Sequence, residues 1–77
     1  TETIRLGPDC THAFFLRGTV RVQNGDLDGA IEDFTEVLRL DPAEAAAYTC
    51  RGEAFKAKGD RAAAQQDFAA AERLRNP

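Results

Sequence analysis

The chain is 77 residues long, which allows at most one domain and a core that buries only about 60% of the unfolded surface. With 43% hydrophobic and 30% charged residues it has the makeup of an ordinary folded chain, and no apolar run approaches the roughly 20 residues of a membrane span. Ten Lys and Arg stand against thirteen Asp and Glu, scattered along the chain with a net charge of −3, which excludes the basic stripe of a nucleic-acid binder.

The chain repeats itself. Sliding it by 34 residues lays Ala13, Arg17, Gly18, Gly25, Asp26, Ala30, Asp33, Phe34, Arg39 and Leu40 on Ala47, Arg51, Gly52, Gly59, Asp60, Ala64, Asp67, Phe68, Arg73 and Leu74 without a gap. Residues 1–10 fit the same ruler, since Thr1, Glu2, Arg5, Leu6 and Pro8 fall on Thr35, Glu36, Arg39, Leu40 and Pro42. They read as the end of an earlier repeat, followed by full units at 11–44 and 45–77. Because it begins on Thr1 rather than Met, the chain reads as a piece of a longer array.

In chain order, the first predicted helix covers Thr11 to Asn24. It ends at Gly25, a residue free to adopt the left-handed conformation, and Asp26 is placed to cap the next helix, Leu27 to Leu40. Asp41-Pro42-Ala43-Glu44 then offers a cap, a Pro pre-set for a first helical turn and an acid at capping-box spacing. The Ala-rich stretch from Glu44 to Lys58 is the third predicted helix, and Gly59-Asp60 separates it from a fourth at Arg61 to Leu74. Gly18 and Gly52 sit in mid-helix at a cost of about 1 kcal/mol each against Ala, so close approach of Phe34 and Phe68 from the partner helices is expected to require them.

These features resemble the tetratricopeptide repeat family. Phe14, Gly18, Ala30, Phe34 and Pro42 fill that family's slots in the first unit, and Tyr48, Gly52, Phe55, Ala64, Phe68 and Ala71 fill them in the second, with Pro77 one place late. The departures are Arg17 and Arg51 where Leu is commoner, Arg21 where an aromatic is usual, and Arg75-Asn76 where the second unit would close on Asp-Pro. The resemblance implies an all-α fold of antiparallel helix hairpins stacked as an α-solenoid. It also implies a protein–protein interaction module whose first helices line a concave groove for a peptide or partner protein. By register that groove is lined by His12, Phe15, Thr19, Val22 and Gln23, with Ala46, Thr49, Glu53, Lys56 and Ala57 from the second unit. The Lys, Asn and Arg clamp with which some members hold a chaperone's C-terminal carboxylate is not matched, since Phe15, Thr19 and Cys50 stand in its slots.

One stripe of the second helices changes character along the chain. Ala30, Phe34 and Val37 recur as Ala64, Phe68 and Ala71, but Leu27, Ile31 and Leu38 become Arg61, Gln65 and Glu72. Terminal repeats need a solvated outer face, so the second unit is expected to be the last of the array. Arg17 with Asp33, and Arg51 with Asp67, recur at one offset, and each Arg is expected to reach an Asp of its own or an adjacent hairpin. Ile4 and Leu6 motivate a competing role, in which the segment is a structural end-piece or self-associates weakly through its N-terminal end.

Catalysis finds little support. His12 and Cys10 form a Cys-x-His pair without further ligands at zinc spacing, and no phosphate loop or nucleophile elbow occurs. Cys10 and Cys50, 40 residues apart, are read as reduced thiols. No enzyme activity, metal or cofactor is expected of the chain, nor a nucleic-acid or membrane partner, and the expected compartment is the cytoplasm.

Overall fold

The computed structural model describes residues 8–76, which form four helices: α1 (Pro8–Gln23), α2 (Leu27–Leu40), α3 (Ala45–Lys58) and α4 (Arg61–Arg75). They pair in order, α1 with α2, α2 with α3 and α3 with α4, while α1 also touches α3. The architecture is that of two antiparallel helix hairpins stacked side by side, as the repeat implies. Ile4, Leu6, Pro77 and the side chain of Cys10 lie outside the described residues, and with them the assignment of 1–10 to an earlier repeat.

The two turns within hairpins are built identically. Gly25 and Gly59 have φ of 83° and 96°, a conformation that costs other residues dearly. In the first, the Gly25 and Asp26 amides donate to the carbonyls of Val22 and Arg21 at 3.0 and 2.8 Å. In the second, those of Gly59 and Asp60 donate to Lys56 and Phe55 at 3.0 and 2.9 Å. This is the Schellman arrangement, and it satisfies two carbonyls at each helix end. Asp26 and Asp60 then cap the following helices, accepting from Gly29 N at 3.1 Å and Ala63 N at 3.2 Å.

The turn between hairpins departs from expectation. Pro42 does not open a helix and Asp41 and Glu44 do not form a capping box. Instead Glu44 N donates to Asp41 O at 3.1 Å, closing a four-residue turn in which Pro42 holds the second position, and Ala43 N donates to Asp41 Oδ1 at 3.3 Å. The third helix therefore starts at Ala45, with Glu44 at its N-cap and no side-chain cap bond. At the other end of the sequence the first helix starts at Pro8, three residues before the expected Thr11, because Pro tolerates the first helical position.

Phe34 and Val37 are the largest fully enclosed side chains, and Val37, Leu38 and Ala47 form a core at the junction of the hairpins against which Phe14, Phe15 and Tyr48 pack. Leu38, whose stripe turns polar in the second unit, is thus covered by α3. The two mid-helix glycines are where the helices touch most closely. A Cβ on Gly18 would lie 2.9 Å from both Cε1 and Cζ of Phe34, and one on Gly52 would lie 2.7 Å from Cε1 of Phe68.

Gly18→Ala is therefore expected to destabilise despite the better helix former. Overpacking costs about 1–3 kcal/mol against a propensity gain of about 1 kcal/mol. Phe34 is fully enclosed and has nowhere to move, whereas Phe68 is only partly buried, so Gly52→Ala is expected to cost less. Urea melts of the two variants check the order; a larger loss at Gly52 would count against this account.

Candidate functional site

The expected groove residues divide into two kinds. His12, Gln23, Glu53, Lys56, Ala46 and Ala57 are exposed, whereas Phe15, Thr19, Val22 and Thr49 are half-buried. Phe15 meets Phe34 edge to face, with ring centroids 5.6 Å apart, so much of its apolar surface belongs to the core. The Thr19 hydroxyl donates to the Phe15 carbonyl at 2.9 Å and that of Thr49 donates to the Ala45 carbonyl at 3.3 Å, which leaves each oxygen free to accept. These positions thus carry one charge of each sign, a histidine, an amide and hydroxyl acceptors, together with the half-buried Phe15 and Val22. Among the described residues, Glu53 and Lys56 pair with no other side chain.

The recurring Arg–Asp pairs are formed, each within its own hairpin. Arg17 Nε and Nη2 donate to Asp33 at 3.0 and 2.9 Å, and Arg51 does the same to Asp67 at 2.9 and 2.9 Å. This fork geometry suits guanidinium and carboxylate, and it serves aspartates that are 2% and 5% exposed. The hydrogen bond to Asp67 and the charge beside it hold Arg51 above the ordinary arginine range, against the opposing effect of burial. Arg17 lies over the Phe14 ring, and Arg51 over those of Tyr48 and Phe55.

Arg21, which replaces the usual aromatic, joins the acids instead. Its Nε is 3.7 Å from both Asp26 and Asp33. A Cβ on Gly29 would run into the carboxylate of the capping Asp26 and lie 2.7 Å from Arg21 Nη1, so Gly29 leaves room for this ion pair; in the second unit the slots of Arg21 and Gly29 hold Phe55 and Ala63. Gly29 escaped sequence reasoning because nothing local separates a helix glycine that makes room for a side chain from one that merely weakens the helix.

Two polar contacts tie the hairpins together. Arg51 Nη1 donates to Thr35 Oγ1 at 3.1 Å, and Lys58 Nζ donates to Asp28 Oδ1 at 2.5 Å. Neither was apparent from the repeat pattern, because Thr35 and Asp28 are replaced by Ala69 and Ala62 one unit later.

Burial, and then the negative charge of Glu53, push the Cys50 thiol up from its ordinary value. At neutral pH it is a protonated thiol and a poor nucleophile. Among the described residues, no three His, Cys, Asp or Glu side chains are grouped to hold a metal ion, and no helix is long and apolar enough to cross a membrane.

Residues 18–59, from mid-α1 through α2 and α3 to the second glycine turn, match a family model described as TPR repeat. No curated protein matches the chain.

Proposed function

From the premise that this chain belongs to the TPR repeat family, whose repeats are generally protein–protein interaction modules, we propose that it binds a peptide or partner protein along the shared face of α1 and α3. The observation that carries this reading is the set of polar groups on that face which packing leaves unused: His12 and Gln23 on α1, Glu53 and Lys56 on α3. Ordinary surface helices satisfy or solvate such groups too. What supports recognition here is that spacings of three and four put Thr19 and Val22 on the same side of α1, and Thr49 on the same side of α3, adding hydroxyl and apolar groups to that side. The proposal assigns no catalytic role to the chain.

Phe15 is a poor position for testing the face, because replacing it would loosen the packing on Phe34. Glu53→Lys with Ala57→Asp alters the face at two exposed positions instead. Partner capture from the source cell is expected to fall about tenfold or more in this variant. It is expected to survive in Glu32→Lys, which changes an exposed residue of α2. Equal capture by both variants would move the binding surface away from α1 and α3.

A second reading has its own observation. Leu16 and Val20 on α1 are 52% and 51% exposed, while their counterparts in the second unit, Cys50 and Ala54, are half-buried and fully buried. The outer face of α1 is therefore apolar and uncovered among the described residues, which favours stacking by a further hairpin or a second copy. Sedimentation of the chain at increasing concentration is expected to show association that Val20→Glu abolishes; a strictly monomeric chain would remove the self-association reading.

A further inference from the structure

The two turns within hairpins share one backbone but not one sequence. Gly25 and Gly59 are required by their positive φ, and Asp26 and Asp60 by the caps they form, whereas the residue before each glycine differs: Asn24 in the first turn, Lys58 in the second. Nothing in the turn calls for an amide there. An asparagine followed by a glycine can react with itself, because the electrophilic side-chain carbon Cγ stands at five-membered-ring distance from the next main-chain nitrogen, and the glycine has no Cβ to obstruct the approach. The chain's other asparagine, Asn76, precedes Pro77, whose nitrogen carries no hydrogen and cannot close such a ring.

Asn24, Gly25 and Asp26 are all exposed, and beyond its chain neighbours no atom lies within 4 Å of the place a Cβ on Gly25 would take. A hairpin packed before the first would leave them so. In the second unit α2 packs on α3 from Ala47 to Lys58, yet Lys58, Gly59 and Asp60 of the equivalent turn stay exposed. What restrains the reaction is hydrogen bonding. The Asn24 amide donates to the Val20 carbonyl at 3.0 Å, which holds Asn24 in the helical pattern, and the Gly25 amide, whose nitrogen must attack, donates to the Val22 carbonyl at 3.0 Å. Asp26 keeps the turn closed from the other side. Its amide donates to the Arg21 carbonyl at 2.8 Å and its carboxylate accepts from Gly29 N at 3.1 Å.

We propose that Asn24 is a covalent modification site whose rate is set by opening of the turn that Asp26 caps. In the open turn the Gly25 nitrogen gives its proton to solvent and bonds to Asn24 Cγ. The Cγ–Nδ2 bond breaks, and the side-chain nitrogen takes a proton from solvent and leaves as ammonia. Water then opens the succinimide ring. Cleavage at Cγ leaves an aspartyl residue, and cleavage at the main-chain carbonyl leaves an isoaspartyl residue joined through its side chain. Nothing is oxidised or reduced, and water is the only co-reactant. Either product loosens the first hairpin, since a carboxylate at the C-terminal end of α1 opposes the helix dipole and stands two residues from Asp26. The isoaspartyl form also lengthens the main chain by a methylene, so the Gly25 and Asp26 amides lose their fit to the Val22 and Arg21 carbonyls. The second hairpin, with Lys58 in the slot, is spared.

The full chain, incubated at neutral pH and digested with trypsin, reports the reaction in the peptide spanning residues 22–39, whose mass rises as the amide becomes a carboxyl. Conversion is expected to be about tenfold or more slower in the folded chain than in the chain unfolded by urea. Asp26→Ala is expected to speed it about three- to tenfold under folding conditions, because the lost cap raises the population of the open turn. Asp60→Ala removes the same cap from the second hairpin and is expected to leave the rate unchanged, which separates opening of the first turn from unfolding of the whole chain; circular dichroism checks that both variants stay helical. Asn24→Asp, which carries the aspartyl product from the start, is expected to unfold at lower urea than the unmodified chain. Equal rates in the folded and unfolded chains, equal acceleration by the two cap variants, no conversion of the unfolded chain, or an Asn24→Asp chain as stable as the original would each overturn the proposal.

Discussion

Phe34→Ala is expected to cost about 3–5 kcal/mol, a large part of the roughly 4–12 kcal/mol that a chain of 77 residues holds at typical per-residue stability. Phe34 is fully enclosed: Gly18 closes over the edge of its ring, Phe15 meets it edge to face, and the junction core of Val37, Leu38 and Ala47 surrounds the same end of α2. None of these groups collapses easily into the space a ring leaves behind, so the cavity persists and its cost adds to the lost burial. Phe68→Ala removes the same atoms from the same slot of the second unit. Phe68 is only partly buried, with no second helix packed over it among the described residues, so the loss is expected to be about 1–2 kcal/mol. Urea unfolding followed by far-ultraviolet circular dichroism measures both. Equal losses would mean that the cover provided by α3 contributes little.

Arg51→Ala is expected to be the most damaging of the charge deletions. Asp67 is almost fully buried and takes both its hydrogen bonds from Arg51, so the variant strands a desolvated carboxylate. The loss is expected to be about 2 kcal/mol, less than the 3–5 kcal/mol of an enclosed pair, because the Arg51 side chain keeps 20% of its surface in solvent. The variant also gives up the bond to Thr35 in the preceding hairpin and the contacts with Tyr48 and Phe55. Arg17→Ala is expected to cost less, since Arg17 is 56% exposed and Arg21 remains 3.7 Å from Asp33. Arg51→Lys should fall between the unmodified chain and Arg51→Ala, because an ammonium keeps the charge but cannot span both carboxylate oxygens as the fork does. Thermal or urea melts order the three variants, and a loss at Arg17 as large as at Arg51 would show that Arg21 does not compensate.

Both predictions turn on how a residue's counterpart one unit away is treated, and this also explains which parts of the molecule were readable beforehand. The Gly-Asp turns were readable because their cause is local: a glycine at positive φ, a cap three residues before its amide, and a helix period on either side. The capping box at Asp41 to Glu44 was not, because a four-residue stretch with Asp, Pro and an acid suits a turn as well as a helix start. The end of α2 decides between them by leaving Asp41 in place to accept from Glu44 and Ala43. The α1–α3 face was expected from the family resemblance, with its residues assigned by register. Register says which residues share a helix side, and for that reason it did not separate Phe15, which is drawn into the core by Phe34, from Glu53 and Lys56, which stay in solvent.

The amino-acid sequence by itself determined the repeat, the four helices, the tight turns within hairpins and the glycine–phenylalanine contacts, each of them stated twice by a spacing of 34. It named the Arg–Asp pairs but left open whether each closes its own hairpin or reaches an adjacent one, and the structure places both within their own hairpins. Only the tertiary structure decided what each hairpin leaves open. Phe34 and Phe68 are the same residue in the same local pattern, yet one is sealed and the other is not. Arg21 and Phe55 share a slot, yet one joins two acids and the other lies under an arginine. The exposure of Phe34 and Phe68 is set by whatever packs from the neighbouring hairpin, and the surroundings of Arg21 and Phe55 by the side chains their own hairpin folds against them; both are carried by distances in space rather than by the order of residues along any one helix.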